Sequence, residues 1–288
     1  MKYAFFGSPR FAAIILGRLI GAGMPPAALV CNPDRPVGRK KIVTPPLTKQ
    51  AALEANAHGG ADGTIAIIQP EKLDEQFIEQ LRALAPDFFV VAAYAKIIPR
   101  AVLDIPKLGT LGTHPSLLPK YRGASPIQSA LLAGEAVTGT TIYAMDEKMD
   151  HGAIYAQREW PVAPGTNYPA LEEQLAELSA EALIRTIPSF YAGALAPRPQ
   201  DESQATFTKK FTTQDGFVDE KDLDSATTGG NKEMARAIVN RINALDPEPG
   251  CWTMRNGTRI KLLEATLDAN GLLKLLVTQE EGQKPKRI

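Results

Sequence analysis

The segment from Phe88 to Ala93 constrains the fold of this chain most, because it is apolar without alternation. A strand of this kind is typical of a parallel sheet whose two faces are both covered by helices. A shorter apolar run over Tyr3–Phe6 ends in a Gly-Ser-Pro turn, and a helical pattern over residues 11–20 and another apolar run over 28–31 follow. This strand–helix–strand order is the building unit of a parallel α/β sheet.

The same alternation continues through the first two thirds of the chain and predicts a doubly wound, Rossmann-like, mostly parallel sheet of α/β class. Further strands are predicted at 65–68, 109–113 and 140–145, and helices at 47–57, 71–84, 125–133 and 168–192. The first turn reads Gly7-Ser8-Pro9 rather than G-x-G-x-x-G, so the dinucleotide-binding fingerprint is absent.

A proline-rich polar stretch divides the chain into an N-terminal domain over 1–195, a linker over 196–206 and a C-terminal domain over 207–288. The last of these has a helical pattern near 231–244 and two Asn-Gly pairs, at 256–257 and 270–271, between alternating runs. Asn-Gly between strands indicates tight hairpins, because both turn positions favour positive φ. We therefore expect a small, OB-like β-barrel with one helix.

The charge of the chain is unevenly distributed, although 32 basic and 32 acidic side chains cancel overall. Residues 1–50 carry eight basic side chains and one acidic side chain, so a polyanion can bind there despite the neutral total. The densest cluster, Arg39, Lys40 and Lys41, falls in a loop over 32–46 that is long for an α/β connection. RNA phosphates are the favoured partner, and an ordinary solvated charge run is the alternative.

Two cysteines, 220 residues apart, support neither a disulfide framework nor a zinc site, and we expect no bound metal. The apolar N-terminal stretch is broken by Gly7–Arg10 and by Arg18, unlike a secretory signal. No run approaches the about 18 apolar residues of a membrane span. A cytoplasmic protein without a membrane partner is expected.

His114 is the strongest candidate for chemistry, because it follows the strand predicted at 109–113 and begins a loop with two prolines. A polar loop after the next strand offers a carboxylate that could orient and charge its imidazole. Periodicity leaves Asp146, Glu147 and Asp150 open as that partner.

The sequence His-Pro-Ser-Leu-Leu-Pro-Lys-Tyr-Arg-Gly at 114–123, with Asp150 placed 36 residues after the histidine, resembles the 10-formyltetrahydrofolate-dependent formyltransferases. The first strand–turn–helix over 6–12 is also similar to theirs. The basic loop over 32–46 and the segment over 211–265 resemble the branch of that family that acts on methionyl-tRNA. The resemblance spans nearly the whole chain.

The resemblance implies an enzyme that moves the formyl group of 10-formyltetrahydrofolate, its co-substrate, to the α-amine of methionine on initiator tRNA, for translation initiation. His114 would shuttle protons and stabilise the negative charge of the tetrahedral intermediate, and Asp150 would hold His114. A monomer that binds the acceptor arm through Arg39, Lys40 and Lys41 is implied. The implied folate-binding residues are Ser116, Leu117, Leu118, Pro119, Tyr94, Ala95, Lys96, Ile97 and Asp146.

One position departs from the family pattern, since Gly112 stands where these enzymes usually carry a catalytic Asn. Loss of one oxyanion donor typically costs about 10²–10³ in rate. The Thr113 hydroxyl, a backbone N–H or a water in the vacated space could replace the amide, and restoring Asn would then test for a missing donor. Two other functions stay open: a formyltransferase that acts on an amino-sugar nucleotide, and a catalytically impaired folate- or RNA-binding homologue.

Overall fold

The computed structural model describes residues 1–38, 40–59 and 64–288 of the chain. Its strands are β1 (Tyr3–Phe6), β2 (Ala28–Val30), β3 (Arg35–Val37), β4 (Ile42–Thr44), β5 (Ala66–Ile68), β6 (Phe88–Ala92), β7 (Thr110–His114), β8 (Arg122–Gly123), β9 (Val137–Ala144), β10 (Ile154–Pro161), β11 (Phe207–Thr208), β12 (Cys251–Arg255), β13 (Thr258–Leu267), β14 (Leu273–Glu280) and β15 (Lys286–Arg287).

The helices are α1 (Arg10–Gly21), α2 (Leu47–Ala57), α3 (Glu75–Leu84), α4 (Arg100–Leu103), α5 (Pro126–Ala133), α6 (Tyr168–Tyr191), α7 (Glu220–Thr227) and α8 (Lys232–Leu245). Local sequence explains several helix starts. The carboxylate of Asp74 accepts from the backbone N–H of Phe77 at the start of α3, and the side chain of Asn231 does the same for Met234 at the start of α8. Such caps satisfy backbone donors that have no partner within the helix.

The chain divides into two compact units. The first comprises residues 1–122, 139–159 and 173–206, and the second comprises 123–138, 160–172 and 207–288. Both units therefore draw on separate stretches of the chain, and residues 196–206 belong to the first. The predicted boundaries, with a first domain ending at residue 195 and a linker ending at 206, stay a prediction.

The first unit is built on a seven-stranded sheet with the order β10-β9-β7-β6-β1-β2-β5. β5, β2, β1, β6 and β7 run parallel to one another, which confirms the predicted doubly wound α/β class. Every residue of β6 is buried, as its unbroken apolar run predicts. One face of β1, β2 and β6 packs against Phe77, Ile78 and Leu81 of α3.

β9 departs from the predicted arrangement because it runs antiparallel to β7, with Gly112 opposite Tyr143 and His114 opposite Thr141. The polar loop after β9 therefore does not lie at the carboxyl end of a parallel strand, as the sequence interpretation assumed. It leads from β9 into β10, a strand that the sequence pattern did not predict. Strand direction depends on the connection, and an apolar run by itself does not specify it.

The second unit contains an antiparallel sheet with the order β12-β13-β14-β15, together with α5, α7 and α8. The Asn256-Gly257 turn joins β12 to β13, and both residues have positive φ, at 50° and 75°, as predicted. The second Asn-Gly pair differs. It lies in a connection over 268–272 in which the Asp268 carboxylate accepts from two backbone N–H groups, and only Gly271 of the pair has positive φ.

In the described part of the chain, no helix is both long enough and apolar enough to cross a membrane.

Candidate active site

His114 is the last residue of β7, and its side chain is only 7% exposed. Its Nε2 lies 2.8 Å from the backbone carbonyl oxygen of Tyr121. Its Nδ1 lies 3.6 Å from Oδ2 of Asp150. Both ring nitrogens thus face oxygen atoms, and of these the Tyr121 carbonyl lies within hydrogen-bond distance.

Asp150 lies in the loop between β9 and β10, and it is the carboxylate that the structure brings to His114. Its backbone has a φ of 48°, in the left-handed region that non-glycine residues seldom adopt. Such conformations persist where the surrounding structure fixes them, and they cluster at functional sites. Its second carboxylate oxygen, Oδ1, accepts a hydrogen bond of 2.7 Å from the Tyr143 hydroxyl.

Gln200 fixes the backbone of the Asp150 loop. Its side-chain amide donates to the backbone carbonyls of Asp150 and Gly152, at 2.9 and 2.8 Å. Its own amide oxygen accepts from Arg122, whose guanidinium is almost fully buried and also binds the Glu202 carboxylate with two hydrogen bonds. The hydrogen bond from Arg122 lowers the pKa of Glu202. The proline-rich stretch that was predicted as a linker therefore holds the active-site loop.

Asp146 makes a separate pair with His151, the histidine of its own loop. Its Oδ2 lies 2.7 Å from Nδ1 of His151, and its Oδ1 accepts from the backbone N–H of Lys148. Glu147 is exposed. Of the three carboxylates that the sequence left open, the one facing His114 is thus Asp150.

Gly112 lies directly opposite Tyr143 in the pairing of β7 with β9. A Cβ atom at position 112 would come within 2.5 Å of Cε1 and 2.8 Å of Oη of Tyr143, and closer still to Cζ. The space directly beside Gly112 is therefore filled by the tyrosine ring, and the replacement of the missing amide by a water stays a prediction. Successive side chains alternate along a strand, so Thr113 faces away from the His114 face.

The segment after His114 is a tight, internally bonded loop. Ser116 is fully buried, and its hydroxyl donates to the Lys120 carbonyl at 2.7 Å, while its own carbonyl accepts from the Thr141 hydroxyl. The same hydroxyl oxygen of Thr141 accepts from the backbone N–H of Leu118. The segment over 116–119 is thereby fixed against β9, although Leu117 and Pro119 keep part of their surface exposed.

The other predicted folate-binding segment, Tyr94 to Ile97, follows β6. Tyr94 packs edge-on against Phe6, and both Tyr94 and Met145 pack against the core cluster that contains Phe6. Met145 also packs against the cluster of Leu118, Tyr143 and Ile154, so it borders the cores beside both predicted segments. Burial raises the pKa of Tyr94 to about 12.

The exposed parts of this segment differ in what they contact. The ammonium of Lys96 donates to the backbone carbonyls of Pro70 and Glu71, whereas Ala95 is exposed and Ile97 is 91% exposed. The buried hydroxyl of Tyr94 has no hydrogen-bond partner among the described residues. An unpartnered buried hydroxyl beside exposed apolar groups fits a polar atom of a bound ligand.

The predicted basic loop contains a short hairpin, in which β3 and β4 pair antiparallel. Lys40 and Lys41 are exposed near its tip, and the backbone N–H of Lys41 donates to the Gly38 carbonyl. Arg39, the third predicted contact with tRNA, lies outside the described residues. The hairpin also exposes Val37, Ile42 and Val43.

Across residues 1–38, 40–59 and 64–288, no three or more His, Cys, Asp or Glu side chains group together as metal ligands. The site residues that the sequence pattern did not reveal are Tyr143 and Gln200. The signals that could have pointed to them are the glycine at 112, far from Tyr143 in the sequence, and the polar residues within an otherwise linker-like stretch.

Family models match both parts of this chain. The model described as formyl transferase covers residues 1–187, and that described as formyl transferase, C-terminal domain, covers 232–284. A solved N-formyltransferase from Helicobacter canadensis, in complex with folinic acid and dTDP-3-aminofucose, aligns with a TM-score of 0.65 at 16% identity over 93% of this chain and 88% of that chain. This chain is a formyl transferase by family and by fold.

Closer relatives narrow the family. The methionyl-tRNA formyltransferase of Chloroflexus aggregans is 41% identical over 93% of this chain and 81% of that protein, and that of Enterococcus faecalis is 38% identical over 92% and 79%. A solved methionyl-tRNA formyltransferase from Clostridium thermocellum shares the fold, with a TM-score of 0.58 at 16% identity over 100% of this chain and 99% of that chain. The chain belongs to the methionyl-tRNA formyltransferase family.

Proposed function

We propose that this chain transfers the formyl group of 10-formyltetrahydrofolate to the α-amine of methionine carried by initiator tRNA, as the first step towards a formylated initiator. The observation that carries the proposal is the buried pair of His114 and Asp150, 3.6 Å apart, in a chain about 40% identical to methionyl-tRNA formyltransferases. The chain would act as a monomer in the cytoplasm.

His114 is proposed as the group that handles the proton. The amine must lose a proton when it attacks the formyl carbon, and the folate nitrogen must gain one as it leaves. His114 takes the first proton on Nε2 and returns it to the folate nitrogen once that atom has turned from the Tyr121 carbonyl towards the substrates, while Nδ1 stays beside Asp150. The negative charge of Asp150 stabilises the positive charge that His114 then carries.

The folate is proposed to bind between the segments over 94–97 and 116–119, whose neighbouring core clusters both contact Met145. The unpartnered hydroxyl of Tyr94 would bond a polar edge of the pterin, and Leu117, Leu118 and Pro119 would contact its apolar face. Ser116 and Thr141 fix this wall by hydrogen bonds rather than by touching the ligand. Ala95, Lys96, Ile97 and Asp146 would line the remainder.

The tRNA is proposed to meet the β3–β4 hairpin, whose Lys40 and Lys41 are exposed. Arg39 would belong to the same contact. Lysines on a paired hairpin are presented to the phosphates at a lower cost in ordering than lysines on a free chain. The exposed side chains of Val37, Ile42 and Val43 add apolar surface for the terminal bases of the acceptor arm.

The direct test is to incubate the purified chain with methionyl initiator tRNA and 10-formyltetrahydrofolate and to measure N-formylmethionine after release from the tRNA. Transfer that depends on enzyme concentration is expected. Folate binding is measured in parallel by fluorescence. Intact folate binding with no transfer at high enzyme concentration would remove the proposed activity and would favour the impaired binding homologue.

The amino-sugar alternative is tested in the same assay by replacing the tRNA with a dTDP-amino sugar. No transfer to the sugar is expected, because the exposed lysines of the hairpin suit a long chain of phosphates rather than a small nucleotide sugar. Efficient formylation of the sugar, with none of the tRNA, would reassign the acceptor while leaving the chemistry in place.

A further inference from the structure

We propose that Tyr143 is a positioning residue for the His114–Asp150 pair, and that position 112 is glycine because its neighbour's ring occupies that space. The inference deepens the proposed function, on which it rests for the reaction. It starts from three groups that lie together: Gly112 and Tyr143, which share one face of the paired strands, and the Asp150 carboxylate, which reaches them from the loop after β9.

The strand register places the ring beside Gly112. Gly112 and Tyr143 are directly opposed between β7 and β9, and opposed residues project to the same face of a sheet. Residues 112 and 114 of β7 also share a face, since side chains alternate. Tyr143 is therefore on the His114 side of the strand, and any Cβ at position 112 would overlap its ring.

The hydroxyl of Tyr143 reaches the carboxylate that serves His114. Its O–H donates to Oδ1 of Asp150 at 2.7 Å, while Oδ2 of the same carboxylate lies 3.6 Å from His114 Nδ1. One oxygen thus accepts from the phenol while the other lies beside the imidazole, and the phenol fixes the rotation of the carboxyl group. Tyr143 acts through Asp150 and touches no reacting atom.

The phenol remains a donor throughout. Tyr143 is 3% exposed, and its burial raises the pKa of the phenol well above its usual value, with the Asp150 charge adding to the rise. A phenol has one proton, and that proton is used on Asp150. Tyr143 therefore does not take the place of a donor to the formyl oxygen. Its role is to hold the carboxylate.

The test is a double-mutant cycle of Y143F and D150N, with single-turnover transfer measured at saturating tRNA and folate. Y143F retains the ring and loses only the hydroxyl. Because hydrogen bonds to charged groups are among the stronger ones, a loss of about ten- to a hundredfold in rate is expected. The KM for folate is expected to change only a few-fold. The acidic limb of the pH–rate profile is expected to move to higher pH, since the carboxylate loses a donor to its charged form.

The matched control is Y3F. Tyr3 is equally buried and its hydroxyl donates to the backbone carbonyl of Met24, at the other end of the sheet from His114. Y3F is expected to lower thermal stability without changing the rate or the pH profile. In the cycle, Y143F is expected to add little to the loss already caused by D150N. Additive losses, or a Y143F enzyme with the native rate and profile, would overturn the assignment.

A second readout does not need activity. The chain has three histidines, so selective ¹⁵N labelling gives three imidazole titrations, assignable by single substitution. Y143F is expected to displace the titration of His114 and to leave that of the exposed His58 unchanged. If the His114 titration is displaced in a chain that transfers no formyl group, Tyr143 is still the positioning residue and the proposed function is rejected. If the titration is unchanged, the positioning role of Tyr143 is rejected.

Discussion

The His114 site and the β3–β4 hairpin belong to the same compact unit but differ in how their side chains are held: those of the first are buried, and those of the second are exposed. The side chains of His114 and Asp150 are 7% and 16% exposed, and each is held by named hydrogen bonds. On the hairpin, Val37, Ile42 and Val43 are all about 60% exposed, and the lysines project into solvent. If the proposed function holds, the contrast teaches that the chemistry needs side chains held in a fixed geometry, whereas acceptor binding needs exposed charge and apolar surface.

Substitution of His114 by Ala should have the largest effect, because it removes the proton-handling group and leaves the walls in place. A loss of about 10²–10⁴ in the single-turnover rate is expected, with folate affinity within a few-fold of the native value. Quenched-flow transfer and fluorescence titration measure the two quantities. A native rate in H114A would remove this residue from the mechanism.

Restoring Asn at position 112 should now lower activity rather than raise it. The new side chain would overlap the Tyr143 ring, and overpacking in a core typically costs about 1–3 kcal/mol. G112N should therefore lose thermal stability and rate together. The double variant G112N/Y143A, in which the ring is removed, should recover part of the stability. A G112N protein that is as stable as the native chain and faster would show that the space was free.

Charge reversal on the hairpin should have a smaller effect that depends on salt. K40E/K41E is expected to weaken tRNA binding at low salt and to lower the slope of log K against log salt by about one for each phosphate that is no longer neutralised. Folate affinity should not change. K107E, an exposed lysine before β7, is the matched control and should bind tRNA normally. Equal weakening in both variants would point to a general charge effect.

The smallest expected effect concerns alkaline pH and Tyr94, whose pKa burial raises to about 12. An unfolded tyrosine loses its proton near pH 10, so between about pH 10 and 12 the unfolded state binds fewer protons than the folded state. The contribution of Tyr94 to the free energy of unfolding should therefore be complete below pH 10 and be lost as the pH rises from 10 towards 12. Y94F should make this fall shallower in urea titrations. If the free energy of unfolding falls equally steeply with pH in Y94F and in the native chain, the raised pKa of Tyr94 is contradicted.

Local patterns predicted the parts of the fold that local physics decides. The unbroken run of β6 and the Asn256-Gly257 hairpin were predicted correctly because burial and positive φ are properties of short segments. The direction of β9 was not, since it depends on a long-range pairing. For the same reason, nothing near Tyr143 in the sequence indicates that its ring lies on Gly112.

The candidate site divides in the same way. His114 and its loop could be found from a contiguous motif, and the motif resemblance chose Asp150 among three carboxylates. Gln200, which holds the Asp150 loop from 50 residues away, looked like part of a linker because the stretch around it is rich in proline and polar residues. Only the folded chain shows that its amide bridges Arg122 and the loop.

The most direct test of the contrast between the His114 site and the hairpin compares D150N with K40E/K41E at physiological salt. The kcat and the KM for methionyl initiator tRNA are measured for both variants. D150N is predicted to lower kcat and to leave KM within a few-fold, because the carboxylate is proposed to act on the imidazole of His114 rather than on the tRNA. K40E/K41E is predicted to raise KM while kcat at saturating tRNA stays near native. A D150N enzyme with native kcat, or a hairpin variant impaired only in kcat, would contradict the account.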